Sequence, residues 1–325
     1  MAGIEAHDFT PVRAARSLVT GRTHVVGVIL ATGPGHPDLQ HPFFQDVLVG
    51  LKHTVGALGF DLLLFSVERD ENGSAALEPR RAPGRSAGEV PGHRRYLARA
   101  RQHRVDGVVL MGVDRHDPDV EELVTSGLPV MSVDLDLVGG RTGHVMSDNV
   151  TGASLAVRHL AELGHRKIGL IGGPGDMRPA VDRFLGYRRE LERLGLPHRP
   201  EYVREGDFYP ESGQVAMRSM LEEPDPPTAV FATSDLMAAG AIQALSDRGL
   251  SCPRDVSIVG FDDIQIAALL QPPLTTIRQD KEALGHATGE SLTRLIDDPD
   301  LDPPTVTVPV ELVVRDSTAS SPPER

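Results

Sequence analysis

The chain has 325 residues, of which 40% are hydrophobic and 24% charged, and 33 basic against 46 acidic side chains give a formal charge of −13. These values suit a folded chain long enough for two units, and they exclude a disordered chain, a nonspecific nucleic-acid coat and a basic membrane-surface protein. One cysteine, Cys252, excludes a disulfide framework and any multi-cysteine zinc or iron–sulfur site.

Arg13, Arg16 and Arg22 precede the apolar run VVGVILA at 25–31, which faintly imitates a signal peptide. The run is short, interrupted by Gly27 and rich in β-branched residues, so it reads as a first buried strand and the chain as cytoplasmic. No apolar run approaches the roughly 18–20 residues that span a bilayer. From there strands and amphipathic segments alternate: a helix at 43–58, the strand DLLLF from 61, a helix at 94–103, DGVVLM from 106, a helix at 119–126 and PVMSVD from 129. The pattern restarts near 143, with a strand ending at 146, a helix at 151–163, KIGLIGG from 167, helices at 180–194 and 211–221, TAVFAT from 228, a helix at 235–248 and VSIVGFD from 256. Strands separated by helices of this length indicate βαβ units, so two successive runs predict an α/β protein with two open, doubly wound parallel sheets. Residues 72–92 read as a solvated loop, and 317–325 have the composition of a disordered end.

Three apparent motifs fail on context. GRSAG at 84–88 matches a nucleophile elbow around Ser86, but no strand precedes it. GGPG at 172–175 lacks the lysine and the spacing of a phosphate loop and reads as a tight strand-to-helix turn. The thirteen histidines show no metal-ligand spacing; His159 and His165 flank a helix end, where an imidazole often bonds the last carbonyls. No catalytic residue, metal or cofactor is expected.

The order of motifs resembles the LacI/GalR transcriptional regulators over nearly the whole chain. DFTPVRAARSLVTGRTHVVGVIL, HPFFQDVLVGLKHTVGALGFDLLLF, VDGVVLMG, LPVMSVD, SDNVTGASLAVRHLAELGHRKIGLIGG, RFLGYRREL, PTAVFATSDLMAAGAIQAL, VSIVGFDD and PPLTTIRQD follow in that family's order. The resemblance implies two subdomains of the periplasmic-binding-protein type with interdomain crossovers. Residues 24–147 plus 280–303 would form the first and 148–279 plus 304–316 the second. Residues 1–23 would hold the end of a headpiece and a hinge helix, since GIEAHDF at 3–9 resembles only the end of the third helix of the helix-turn-helix headpiece; most of that headpiece is expected to be missing. In the hinge, Arg13 and Arg16 lie three apart, placed to face phosphate or the minor groove, and Leu18 corresponds to the family's apolar wedge between base steps.

Open parallel sheets bind ligands beyond the carboxyl ends of their strands, so polar residues just after strands are the candidates. These are Asp134, Asp262 and Ser234, with Asp235 beside it. Phe43 and Phe44 follow the first strand, Arg183 lies near a helix start and Phe208 in a loop. Carboxylates and a guanidinium suit adjacent sugar hydroxyls, while aromatic rings suit sugar C–H faces. By resemblance Arg183 and Asp262 are the recurrent effector contacts. Asp262 also reads as a helix cap, Arg183 as a solvated helix residue, one of the two phenylalanines as core, and Asp148 and Asp235 as helix N-caps. The resemblance implies a homodimer along the first subdomain, through 44–58 and the helix from 94. It also implies a small sugar-like effector, no membrane, and operator DNA as partner only in a form carrying the headpiece. An exported sugar-binding protein of an ABC transporter is the alternative.

Overall fold

The computed structural model describes residues 22–32, 39–68 and 95–321. Arg13, Arg16, Leu18 and Ser86 lie outside them, as do most of the expected hinge and the loop at 72–92.

The first sheet takes β1 (Val25–Thr32), β2 (Asp61–Glu68), β3 (Gly107–Met111), β4 (Val130–Val133) and β5 (Thr142–Ser147). Between them lie α1 (Pro42–Ala57), α2 (Arg95–Gln102) and α3 (Pro118–Thr125). The chain then enters the second unit: α4 (Asn149–Glu162), β6 (Ile168–Gly172), α5 (Arg178–Arg193), β7 (Val203–Glu205), α6 (Pro210–Met220), β8 (Ala229–Ala232), α7 (Asp235–Asp247), β9 (Ser257–Asp262) and β10 (Thr275–Gln279). It returns to the first unit for α8 (Lys281–Asp297) and β11 (Thr305–Val308), then ends with β12 (Val310–Val313) in the second.

The strand orders are β11-β5-β4-β3-β1-β2 and β12-β10-β9-β8-β6-β7, parallel except for β12 on β10. Central strands such as β3 and β4 are buried along their whole length, as sheets covered by helices on both faces require. Each sheet therefore has two apolar clusters, one on either face.

Three details depart from the sequence expectation. Residues 305–308 pair in parallel with β5, so the last crossover falls at Pro309 and this stretch belongs to the first unit, not the second. Residues 317–321 are docked, not disordered. Ser317 is fully buried; its hydroxyl accepts from Thr275 N at 2.8 Å and donates to Ile258 O at 2.6 Å. His165 bonds Ala319 O, Thr228 and Ser257, and His159 bonds Thr318, so both imidazoles hold the tail instead of capping helix carbonyls. Small hydroxyl residues that look disordered by composition here satisfy polar groups at a sheet end. Third, α8 had no counterpart in the strand and helix pattern. It packs on α1 so closely that a Cβ added at Gly285 would overlap the Val47 carbonyl, and one at Gly50 the Glu282 carbonyl.

Candidate ligand-binding cleft

The carboxyl ends of both sheets face one cleft of about 650 Å³, counting its open mouth. Six of the seven candidate residues line it: Phe43 and Phe44 from the start of α1, Asp134 after β4, Arg183 in the second turn of α5, Phe208 in the loop before α6, and Asp262 at the end of β9. Each is carried by the end of a rigid element, which fixes its direction.

Arg183 is only 4% exposed and Asp262 2%. The Arg183 guanidinium lies 3.8 Å from the Phe261 ring centroid and 3.8 Å from Asp262 Oδ1. Its Nε donates to Asn149 Oδ1 at 2.8 Å and its Nη1 to Thr233 O at 2.6 Å. Asn149 begins α4 at a crossover and also donates to Ser147 O at 3.2 Å. The arginine is thus tied to the strap between the units. Burial pulls its pKa below the usual guanidinium value, and the charges of Asp262, Asp134 and Asp235 oppose that.

Asp262 does not cap the following short helix, whose N-cap Ile264 makes no side-chain bond. Its Oδ1 accepts from Gln279 Nε2 at 2.6 Å, and its carbonyl accepts from Lys281 Nζ at 2.7 Å. Asp134, Phe208 and Asp262 all have positive φ, at 56°, 71° and 116°. Such conformations cost about 1–3 kcal/mol each and persist where surrounding structure imposes them. Burial raises the Asp134 pKa to about 6, with Arg183 acting in the opposite direction.

Two assignments change at α7. Ser234 is the N-cap, its Oγ accepting from Met237 N at 3.1 Å and donating to Phe208 O at 3.2 Å. It is fully buried and does not line the cleft. Asp235 is therefore not a cap. Its carboxylate accepts from Ile264 N at 2.9 Å and from Thr276, bracing the corner that presents Asp262. Burial, then the nearby Asp262 charge, pushes its pKa well above the usual carboxylate value. Asp148 does cap α4, accepting from Thr151 N at 3.0 Å. Both Phe43 and Phe44 serve the core and the cleft wall together. GGPG is a packing turn, since a Cβ at Gly173 would overlap the Phe208 ring.

The sequence reading missed His41, Asp114, Asp176 and Arg178, which also line the cavity. Asp114 lies three residues beyond β3, where Asp134 directly follows β4, so a slightly wider strand-end rule would have found it. Arg178 carries no such signal. It reaches across the cleft to Asp136 and bonds Asp182 Oδ2 at 2.8 Å. Among the described residues no group of His, Cys, Asp or Glu is placed to hold a metal, and no helix is long and apolar enough to cross a membrane.

Residues 157–318 match the family model for a periplasmic binding protein-like domain. The chain is 33% identical over 316 residues to the HTH-type transcriptional regulator CelR of Thermobifida fusca, covering 97% of this chain and 87% of that protein. It is 32% identical to the ribose operon repressor of Escherichia coli K12 over 301 residues, 92% of this chain and 84% of the repressor. Among solved structures, a CelR–cellobiose complex superposes with a TM-score of 0.77 at 30% identity, over 91% of this chain and 85% of that one. The lac repressor dimer bound to operator and the anti-inducer ONPF superposes with a TM-score of 0.78 at 26% identity, over 96% of this chain and 100% of that one.

Proposed function

The chain belongs to the LacI family of transcriptional regulators, and from that premise we propose that its cleft senses a small sugar-like effector and couples closure to operator affinity. The observation that carries this is the facing of Asp134, from the first unit, against Arg183 and Asp262 of the second across one cavity. A sugar hydroxyl both donates and accepts, so a carboxylate on each wall and the guanidinium can grip neighbouring hydroxyls. Phe43, Phe44 and Phe208 offer apolar faces to its C–H surface. Ser234 takes an indirect part, holding the Phe208 loop by its backbone.

A ligand that touches both walls binds the closed arrangement more tightly and shifts the population toward it. In a homodimer joined along the first units, that rotation alters the spacing of the two hinge segments. Arg13, Arg16 and Leu18 would meet DNA there, and the protein would act in the cytoplasm. The comparison with CelR, the ribose operon repressor and the lac repressor supports a regulator over a transporter's binding protein. Reversible binding without turnover is the role we assign to the cleft.

Thermal-shift and calorimetric titration of the full chain against neutral mono- and disaccharides tests the site. A saturable one-to-one hit lost in both Arg183→Ala and Asp262→Ala supports the assignment; a hit of unchanged affinity in both variants overturns it. Sedimentation equilibrium is expected to give a dimer, and a monomer at micromolar concentration contradicts the coupling.

A further inference from the structure

The charges around the cleft define its occupant more narrowly than its shape does. Among the described residues four carboxylates border the cavity, Asp114, Asp134, Asp176 and Asp262, against two guanidinium groups, Arg178 and Arg183. Both guanidinium groups already face carboxylates. Arg183 lies against Asp262, and Arg178 is held by Asp182 and by Asp136 of the facing unit. The buried Lys281 nearby is turned onto backbone, its Nζ donating to the carbonyls of Asp262 at 2.7 Å and Asp263 at 3.1 Å.

A phosphate or carboxylate buried in such a place needs cationic donors whose charge is not already matched. The N-terminus of α5 also borders the cavity, and helix N-termini attract anions. Here Pro179 supplies no N–H at the second helical position, and the Asp176 carboxylate stands two residues before the helix. No side chain caps this helix, but the Asp176 charge beside its first turn opposes an incoming anion.

Resting on the assignment of this cleft as the effector site, we infer that its effector is an uncharged polyhydroxylated molecule, a sugar bearing no phosphate or carboxylate, and that acidic derivatives of the same sugar are rejected. An uncharged hydroxyl donates to Asp134 or Asp262 and accepts from the remaining Arg183 N–H groups without changing the balance. A phosphoryl group brings its own negative charge to the four carboxylates and must also shed its water. Like-charge juxtaposition of this kind costs enough to weaken binding by about a hundredfold or more.

The test is paired titration of the full chain with neutral sugars and with their phosphorylated and uronic or aldonic acid counterparts, ribose with ribose 5-phosphate, glucose with glucose 6-phosphate and gluconate, cellobiose with cellobionic acid, extended to a wider neutral and acidic panel. The expected result is a neutral hit whose acidic partner binds at least about a hundredfold more weakly at pH 7.5. An acidic ligand that binds as well as or better than its neutral partner overturns the inference while leaving the cleft as the effector site. No saturable binding from either series overturns the effector assignment and the inference with it. A second measurement uses D114N/D176N, whose folding is checked by melting temperature. Removing two charges is expected to narrow the neutral-to-acidic ratio by about tenfold at low salt. A ratio that stays unchanged in a folded variant, at both low and high salt, contradicts an electrostatic origin for the rejection.

Discussion

The two walls of the cleft are built differently. The second unit's wall is a stitched polar network: Arg183 is fixed by Asn149, Thr233, the Phe261 face and Asp262, which Gln279 and Lys281 hold in turn. The first unit's wall mixes apolar side chains with the carboxylates of Asp114 and Asp134: Phe43 and Phe44 are in edge contact at 5.2 Å between ring centroids, and Asp134 accepts one long bond, from Ser147 N at 3.4 Å. One wall is a preorganised anchor that loses little freedom on binding; the other keeps its carboxylate available for a ligand. The contrast leads us to expect that a ligand docks on the second unit and completes its hydrogen bonds when the first closes over it.

The largest effect is therefore expected on the anchor. Arg183→Ala removes the guanidinium that faces Asp262 at 3.8 Å and donates to Asn149 and Thr233, and breaking a buried charge pair in this way costs about 2–5 kcal/mol. A titration should show at least about a thirtyfold loss of sugar affinity, and denaturant unfolding a loss of stability within the same range. Unchanged affinity would move the site elsewhere.

Lys281→Met comes next. It keeps the apolar stem of the side chain but removes the ammonium from the carbonyls of Asp262 and Asp263, releasing a corner that holds φ at 116°. Affinity should fall about tenfold, consistent with a charged hydrogen bond worth about 1.5–3 kcal/mol. No change would mean that Asp235 and Gln279 alone set the corner.

The opposite wall should respond to pH. Asp134 has its pKa raised to about 6 from 3.8, so the folded chain holds an extra proton between about pH 4 and 6. With the native state the more protonated, this group's contribution to stability falls as pH rises through that window and is least favourable above 6. A sugar hydroxyl that donates to the ionised carboxylate draws the pKa back down. Affinity should then be flat above about pH 6 and decline below it, by at most about tenfold per unit. D134N should flatten the profile, and a wild-type profile flat from pH 5 to 8 would remove Asp134 from the contacts.

Far from both walls, Ser317→Ala should leave Thr275 N and Ile258 O unpaired. That costs about 1–3 kcal/mol of stability with sugar affinity retained. A loss of affinity at constant stability would break the separation between tail and cleft.

Both walls were legible in part. Strand-end logic reached Asp134 and Asp262, and the family resemblance supplied the role of Arg183. Asp114 escaped because it lies three residues beyond β3. Arg178 and Lys281 escaped because their work is done across units or through backbone carbonyls, which leaves no mark in local spacing. At α7 the cap assignment slipped by one residue: Ser234 and Asp235 are both good caps, and only the tertiary contacts of Asp235 with Ile264 and Thr276 decide between them. The helix α8 gave no signal because its buried face is partly Gly285, Thr288, Gly289 and Ser291, small residues that allow close contact with α1 in place of an apolar stripe.

The most direct measurement is amide hydrogen exchange of the full chain with and without a saturating neutral sugar. Protection is expected to rise on both walls at once, around 132–147 in the first unit and around 180–184 and 260–264 in the second. Protection confined to one wall, or to a surface away from the cleft, would contradict a ligand held between the two.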